Sequence, residues 1–224
     1  MVKLFACGYE ENKADILLDK MSFLSLKDRE RIFRYKREED RCESFLGLSL
    51  VYGFWDKTEE YKDTLNIIDN YDFITKEIFE KGLSVSVSSE GKPYFEGRED
   101  LYFNISHSGN ICIAAVADCN VGVDLQKIKV LNGNVATRFF TKKDNEFIHK
   151  NETLITKNTI KIWCIKESYV KMLGSGLGYG LDKFEIDFKT NRIFDFNKQK
   201  YTARFCAGSF DDEYEYSYCV PLLN

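Results

Sequence analysis

Residues 121–126, Val-Gly-Val-Asp-Leu-Gln, place an acid and an amide in an otherwise apolar stretch. Side chains of a β-strand alternate between its two faces, so Asp124 and Gln126 are predicted to point the same way. Gly122 lies beside them and leaves space on that face. Two oxygen donors next to open space suit an ion or a phosphate. The alternative is an edge strand whose polar face lies in water.

Residues 161–176 show the periodicity of an amphipathic helix. Trp163, Glu167 and Lys171 are four residues apart and share one face, while an apolar stripe follows another. An ordinary solvated ion pair between Glu167 and Lys171, worth about 0.3–0.5 kcal/mol, is the alternative interpretation. The glycine-rich residues 174–180 follow a helix rather than a strand, so they predict a helix stop and a turn instead of a dinucleotide loop.

A third polar segment is 103–110, Phe-Asn-Ile-Ser-His-Ser-Gly-Asn, where His107 stands between two serines at a predicted strand end. Hydroxyl and imidazole groups there offer several hydrogen-bond donors to a phosphate. A Ser-His-Asp triad is the rival interpretation. No Gly-x-Ser-x-Gly turn surrounds either serine, which argues against the triad.

The composition predicts a folded, soluble protein. Apolar residues make up 44% and charged residues 30% of the 224 residues, and the net charge of −4 provides no basic field for nucleic acid. No apolar run approaches the roughly 18 residues that span a bilayer, and the early acidic residues argue against a signal peptide. Seven scattered cysteines indicate reduced thiols in a cytoplasmic protein. With only two histidines, any metal is expected to be an oxygen-bound cation such as Mg²⁺.

The order of predicted elements suggests two halves, residues 1–117 and 118–224. In the first half, a helix begins at the Ser25 N-cap and runs to about Trp55, and a weaker helix covers 62–81. The remaining elements of this half are strands, at 2–9, 83–87, 101–106 and 111–117. The second half is predicted to contain a strand from Val121, helices at about 134–140, 143–150 and 159–173, and strands at 184–188, 192–196, 201–205 and 214–220.

Taken together, these segments resemble the 4'-phosphopantetheinyl transferases of the surfactin-synthetase-activating (Sfp) type. The pairing of the strand motif around Asp124 with the Trp-x-x-Lys-Glu-Ser-x-x-Lys motif of residues 163–171 is specific to that family. The matching segments cover the chain from about residue 25 to 181. They are 36–51, 91–95, 103–109, 121–126, 138–147 and 163–177.

The resemblance implies an α+β (α/β) fold, a pseudo-twofold monomer of two similar halves. Each half would pack helices on a small antiparallel sheet, with the active site in the cleft between them. It implies a cytoplasmic enzyme that transfers phosphopantetheine from coenzyme A to a serine of an apo acyl or peptidyl carrier protein, with Mg²⁺ as cofactor. Adenosine 3',5'-bisphosphate would be released. The resemblance leans toward carriers of nonribosomal peptide or polyketide biosynthesis, while fatty-acid and aminoadipate-type carriers stay open. Neither nucleic acid nor membrane is an expected partner.

The resemblance also assigns the reacting end of the site. Asp124, Gln126 and Glu167 would hold Mg²⁺, and many relatives carry Glu where this chain has Gln126. Lys171 would bind coenzyme A and neutralise charge on the phosphate, with Lys166 as a helper. Glu167 or a metal-bound water would accept the serine proton. Asp144 occupies the place of an acid proposed as a base in this family.

At the nucleotide end, Arg31 and Ser44 fall where the family contacts the 3'-phosphate of coenzyme A. Ser106 and His107 would contact the same end, and Lys92 would line the adenine pocket. Residues 27–41 otherwise have the mixed charges of a solvated face, and Asp28 replaces a lysine that is often found in the family.

Two other functions are compatible with the motifs. One is a coenzyme A or carrier-protein binding module that has lost catalysis, which the neutral Gln126 would explain. The other is a Mg²⁺-dependent phosphohydrolase of coenzyme A.

Overall fold

The computed structural model describes residues 1–57, 64–130 and 139–222. The chain divides into two units, Met1–Cys119 and Asn120–Asn224, and each packs helices against a β-sheet. This mixture of helices and mainly antiparallel strands confirms the α+β class. The twofold similarity of the halves, their boundary at residue 117 and the cleft between them stay predictions, and each unit is described on its own below.

In the first unit, the strand order of the main sheet is β2-β1-β6-β5, and a two-stranded ribbon pairs β3 with β4. Most pairs are antiparallel, but β1 and β2 run parallel. Helix α3 packs on the sheet. The elements are β1 (Val2–Gly8), α1 (Ala14–Lys20), α2 (Leu26–Ile32), α3 (Glu38–Phe54), β2 (Leu65–Ile68), α4 (Lys76–Phe79), β3 (Val85–Val87), β4 (Pro93–Phe95), β5 (Tyr102–Ser108) and β6 (Ile111–Ala117).

Two helix predictions in this unit are wrong. Where residues 62–81 are described, they form strand β2 and the four-residue helix α4 instead of one helix. The strand is fixed by pairing with β1 in the register Leu4↔Leu65, a contact that local periodicity cannot reveal. The Ser25 cap is present, since its side chain accepts from the backbone N–H of Asp28. The helix it begins nevertheless ends at Ile32, and α3 starts separately.

The second unit has a five-stranded, fully antiparallel sheet in the order β7-β11-β10-β9-β8. Its longest helix, α6, packs on β7, β11 and β10. The helix predicted at about 134–140 lies largely outside the described residues. The elements are β7 (Gly122–Lys127), α5 (Lys142–Ile148), α6 (Ile155–Leu173), β8 (Phe184–Asp187), β9 (Arg192–Asp195), β10 (Lys200–Phe210) and β11 (Tyr214–Pro221).

The glycine-rich segment after α6 ends the helix, as its composition predicts. Gly174 adopts a left-handed conformation with φ of 77°, and its N–H bonds to the Lys171 carbonyl. Tyr179, at the end of this segment, donates its hydroxyl to Oδ2 of the buried Asp195 at 2.5 Å, which fixes the turn on the sheet. Among the described residues, no helix is both long and apolar enough to cross a membrane.

Candidate active site

The backbone of strand β7 is in direct contact with the backbone of helix α6 at Gly122. A Cβ atom added to Gly122 would lie 2.1 Å from the carbonyl oxygen of Ser168 and 2.3 Å from the amide nitrogen of Met172. No side chain fits there, so glycine is required by this close approach. The space predicted beside Gly122 is therefore filled by the helix backbone, and an ion cannot occupy it. The contact instead brings the strand residues that follow Gly122 up to α6.

Asp124 is the buried centre of this contact, with 1% of its surface exposed. Its Oδ1 lies 2.6 Å from Nζ of Lys171 on α6, and its Oδ2 accepts a hydrogen bond of 3.2 Å from Nε2 of Gln126. Asp124 and Gln126 thus share one face of β7, as the alternation predicts. The polar face is held against a helix and is not an open face in water.

Glu167 lies one helical turn before Lys171 and is half-buried. Burial raises the pKa of its carboxyl to about 7, and the negative charge of Asp124 adds to the rise, while Lys171 opposes it. The carboxylates of Asp124 and Glu167 repel each other, and Lys171 is the cationic side chain beside them. A cation bound at this site would relieve the repulsion. Glu167 is consequently poised between its two protonation states at neutral pH.

The oxygen donors at this site are two carboxylates and one amide. Within residues 1–57, 64–130 and 139–222, no group of three or more His, Cys, Asp and Glu residues could hold a metal. Gln126 would therefore have to supply the third protein oxygen if the site takes three protein ligands. Its amide nitrogen now faces Asp124, so its amide would rotate to present the oxygen.

Asp144 and Lys166 form a buried ion pair away from water. Nζ of Lys166 lies 2.8 Å from Oδ2 of Asp144 and also donates to the carbonyl oxygens of Leu181 and Phe184. Asp144 further accepts from the backbone N–H of Thr141 in a capping box that starts α5. These contacts tie α5 and the start of β8 to α6. They favour a structural role for both residues, so the assignment of Asp144 as a base stays a prediction without support from its contacts.

The first unit contains a separate cavity of about 250 Å³, between helices α2 and α3 and strand β5. Arg31, Ser44 and His107 line it together, and Lys92 follows the lining residue Gly91 directly in sequence. Burial lowers the pKa of the Lys92 ammonium to about 8. Ser106 does not line the cavity, because neighbouring residues of a strand face opposite sides, and its side chain is buried.

Two acids near this cavity were missed by the sequence reasoning. Asp28, predicted on a solvated face, is 4% exposed, and its Oδ1 lies 3.1 Å from Nη2 of Arg31. The three-residue spacing of this pair on α2 could have indicated the contact. Glu43 of α3 is 4% exposed, with Oε2 2.8 Å from Nδ1 of His107 on β5. No local sequence signal links these two residues.

Comparison with known proteins gives the same family in two ways. The profile of the 4'-phosphopantetheinyl transferase superfamily matches residues 120–219, the segment from β7 to β11. A protein of Bacillus subtilis named 4'-phosphopantetheinyl transferase ffp is 32% identical over 167 residues, which are 74% of this chain and 67% of the relative. The 4'-phosphopantetheinyl transferase Sfp of Bacillus subtilis strain 168 is 31% identical over the same shares. The human L-aminoadipate-semialdehyde dehydrogenase-phosphopantetheinyl transferase is 26% identical over 95% of this chain and 68% of its own length.

Proposed function

Because this chain belongs to the 4'-phosphopantetheinyl transferase superfamily, we propose that it transfers 4'-phosphopantetheine from coenzyme A to a serine of an apo acyl or peptidyl carrier protein. In this proposal the reaction needs Mg²⁺ and releases adenosine 3',5'-bisphosphate. The observation that carries the proposal is the contact of β7 with α6. It gathers Asp124, Glu167 and Lys171 inside the segment that the family profile matches.

The donor set is suited to Mg²⁺. This ion is usually bound by one or two carboxylates together with substrate phosphates, and Asp124 and Glu167 would supply the carboxylates. Gln126 would add an amide oxygen without a charge. Bound there, Mg²⁺ would neutralise the pyrophosphate of coenzyme A and polarise the reacting phosphorus. Burial and the negative charge of Asp124 together raise the pKa of Glu167, and a cation beside both carboxylates would oppose that rise.

The protein groups would perform the remaining chemistry. Lys171, whose Nζ is fixed by Asp124 at 2.6 Å, would donate to the phosphate oxygens, where negative charge grows as the bond to the leaving nucleotide breaks. The pKa of about 7 belongs to the Glu167 carboxyl without a metal, and a bound cation would lower it. Either Glu167 or a metal-bound water would accept the proton of the incoming serine hydroxyl.

The cavity of the first unit would bind the nucleotide end of coenzyme A. Arg31, held by Asp28, and His107 would donate to the 3'-phosphate, and the hydroxyl of Ser44 would add a neutral donor. Lys92 would lie along the adenine. Since both groups of residues belong to one chain, we also propose that the enzyme acts as a monomer. Its seven free cysteines support the further proposal that it works in the reducing cytoplasm.

The direct test combines the purified protein with coenzyme A, Mg²⁺ and an apo carrier protein, and reads the intact mass of the carrier. We expect the mass of one phosphopantetheine group to be added, and adenosine 3',5'-bisphosphate to appear in equal amount. Binding of coenzyme A without any addition would favour a binding module, and breakdown of coenzyme A without a carrier would favour a hydrolase. Carriers of nonribosomal peptide, polyketide and fatty-acid synthesis should be compared.

Gln126→Glu tests the third ligand of the proposed metal site. The substitution adds a negative charge beside Asp124. Because ligand charge tunes the affinity of such sites, the Mg²⁺ concentration that gives half-maximal activity should fall about tenfold. The measurement is a Mg²⁺ titration of the transfer rate at saturating coenzyme A. If the variant needs as much Mg²⁺ as the natural protein, or more, Gln126 does not contact the metal.

His107→Ala tests the contact with the 3'-phosphate. Loss of a charged hydrogen bond worth roughly 1.5–3 kcal/mol should raise the KM for coenzyme A by about tenfold or more. The KM for 3'-dephospho-coenzyme A, which lacks the phosphate, should change much less. Steady-state kinetics with both substrates make the comparison, and an equal loss with both would refute the contact.

A further inference from the structure

We propose that Glu43 is a positioning residue that orients His107 and keeps a proton on its ring, so that the ring meets the 3'-phosphate as a cation. The inference rests on the proposed function for the identity of the anion. Neither the family resemblance nor the sequence pattern assigns a role to Glu43. Its contact with His107 is the observation from which the inference starts.

The geometry places the carboxyl behind the ring. Glu43 projects from α3, and its Oε2 lies 2.8 Å from Nδ1 of His107, a hydrogen-bonding distance. The carboxyl side chain is 5% exposed, whereas the imidazole is 46% exposed and lines the cavity beside Arg31 and Ser44. A carboxyl that engages Nδ1 fixes the plane of the ring and directs Nε2 for donation to a ligand.

The surroundings of Glu43 favour a proton held between its carboxyl and the His107 ring. Burial raises the pKa of its carboxyl to about 7, and the negative charges of Glu39 and Asp40 add to the rise, while Arg37 opposes it. A carboxyl with this pKa and an imidazole in hydrogen-bond contact can hold a shared proton at neutral pH, where an isolated imidazole has largely lost its own. A phosphate in the cavity then favours the proton on the ring and the charge on the carboxylate.

Other groups near the pair could also influence its titration. On α3 they are Glu39, Asp40 and Cys42, and Arg37 is the N-cap of that helix. From neighbouring elements they are Arg31 of α2, Tyr35 of the segment after α2, and Cys112 of β6, whose thiol lies 3.3 Å from the Glu43 carbonyl oxygen. The burial of Cys112 raises the pKa of its thiol well above the ordinary value, so this thiol stays protonated. Glu43 is in direct contact with the His107 ring.

The first experiment needs no enzymatic activity. The chain has only two histidines, so an NMR titration can resolve the signals of His107 and His149. His149, at the C-terminal end of α5, serves as the internal reference. Glu43→Gln keeps the size of the side chain and removes its charge. The midpoint of the His107 curve should fall by about 1 pH unit or more, as loss of a neighbouring opposite charge predicts. The His149 signal should follow the same curve in both proteins.

The second experiment separates positioning from a purely structural role. Glu43→Gln should raise the KM for coenzyme A about tenfold with kcat nearly unchanged, and should leave 3'-dephospho-coenzyme A within about twofold. In a His107→Ala background, Glu43→Gln should have no further effect, because the ring through which it acts is gone. Glu80→Gln removes an equal charge from an exposed side chain of the same unit that pairs with Lys76, and it is the matched control, with an expected change within about twofold.

Several outcomes would overturn the inference. An unchanged His107 midpoint in Glu43→Gln, equal losses with both substrates, or a full additional loss in the double variant would each do so. If Glu43→Gln does not fold, Glu43→Asp takes its place, because the shorter carboxylate withdraws from Nδ1 and should shift the midpoint in the same direction. A natural protein that transfers nothing to any carrier refutes the proposed function alone, since the titration still reports on the pair.

Discussion

Asp124→Asn and Glu167→Gln should each lower the rate of phosphopantetheine transfer by about 10²–10³-fold. Each substitution keeps the size of the side chain and removes one of the two carboxylates gathered by β7 and α6. The loss is of the magnitude seen when a group that stabilises developing charge is removed from an active site. Asp124→Asn also releases Lys171 from its 2.6 Å contact, so both the proposed metal ligand and the phosphate-binding cation are affected.

The measurement is the transfer rate at saturating coenzyme A and Mg²⁺, with circular dichroism to confirm that each variant is folded. Glu213→Gln is the matched control, because it neutralises an acid of the same unit whose side chain is 62% exposed and pairs with Lys127. It should transfer at the natural rate. Activity near the natural level in Asp124→Asn or Glu167→Gln would show that the site assignment is wrong.

Gly122→Ala should destabilise the protein by about 3 kcal/mol or more and abolish transfer in whatever folded fraction remains. The added methyl group would meet backbone atoms of Ser168 and Met172 at 2.1 and 2.3 Å, and backbone cannot move aside as a flexible side chain can. Strand and helix would have to separate. Asp124 would then lose its place beside Glu167 and Lys171, and small misplacements of catalytic groups are costly.

Gly178→Ala is the matched control for the glycine effect. Gly178 lies in the same unit, an added Cβ there has no atom within 4 Å, and its backbone does not adopt positive φ. Urea unfolding of the two variants and the natural protein makes the comparison. Gly178→Ala should change the free energy of unfolding by well under 1 kcal/mol. A Gly122→Ala protein of natural stability would mean that β7 and α6 are not in backbone contact.

The placement of Asp124, Gln126, Glu167 and Lys171 within their strand and helix was largely predictable from sequence, because its signals are local. Strand alternation placed Asp124 and Gln126 on one face, and helical spacing placed Glu167 and Lys171 on another. The family resemblance then joined the two segments. What local pattern could not supply was the partner of each group: the Asp124–Lys171 contact and the packing of Gly122 depend on how the helix lies on the sheet.

The remaining differences have the same physical origin. Strand β2 was predicted as a helix, because its parallel pairing with β1 joins residues that are some sixty positions apart. Asp144 and Lys166 were assigned chemistry from their place in motifs, but their side chains are buried against each other. The Glu43–His107 contact joins a helix to a strand and has no fixed spacing. The type of most single elements followed from sequence, and contacts between elements required the structure.

The ion pair between Asp124 and Lys171 has a consequence for handling the protein. Because the ammonium group already balances the buried carboxylate, the fold does not need a divalent cation to compensate that charge. Protein purified in the presence of EDTA should therefore be folded, with a melting temperature close to that of the untreated sample, and on the proposed Mg²⁺ dependence it should be inactive. Adding Mg²⁺ back together with coenzyme A should restore transfer without a refolding step. A chelator would thus act on this enzyme as a reversible inhibitor and not as a denaturant.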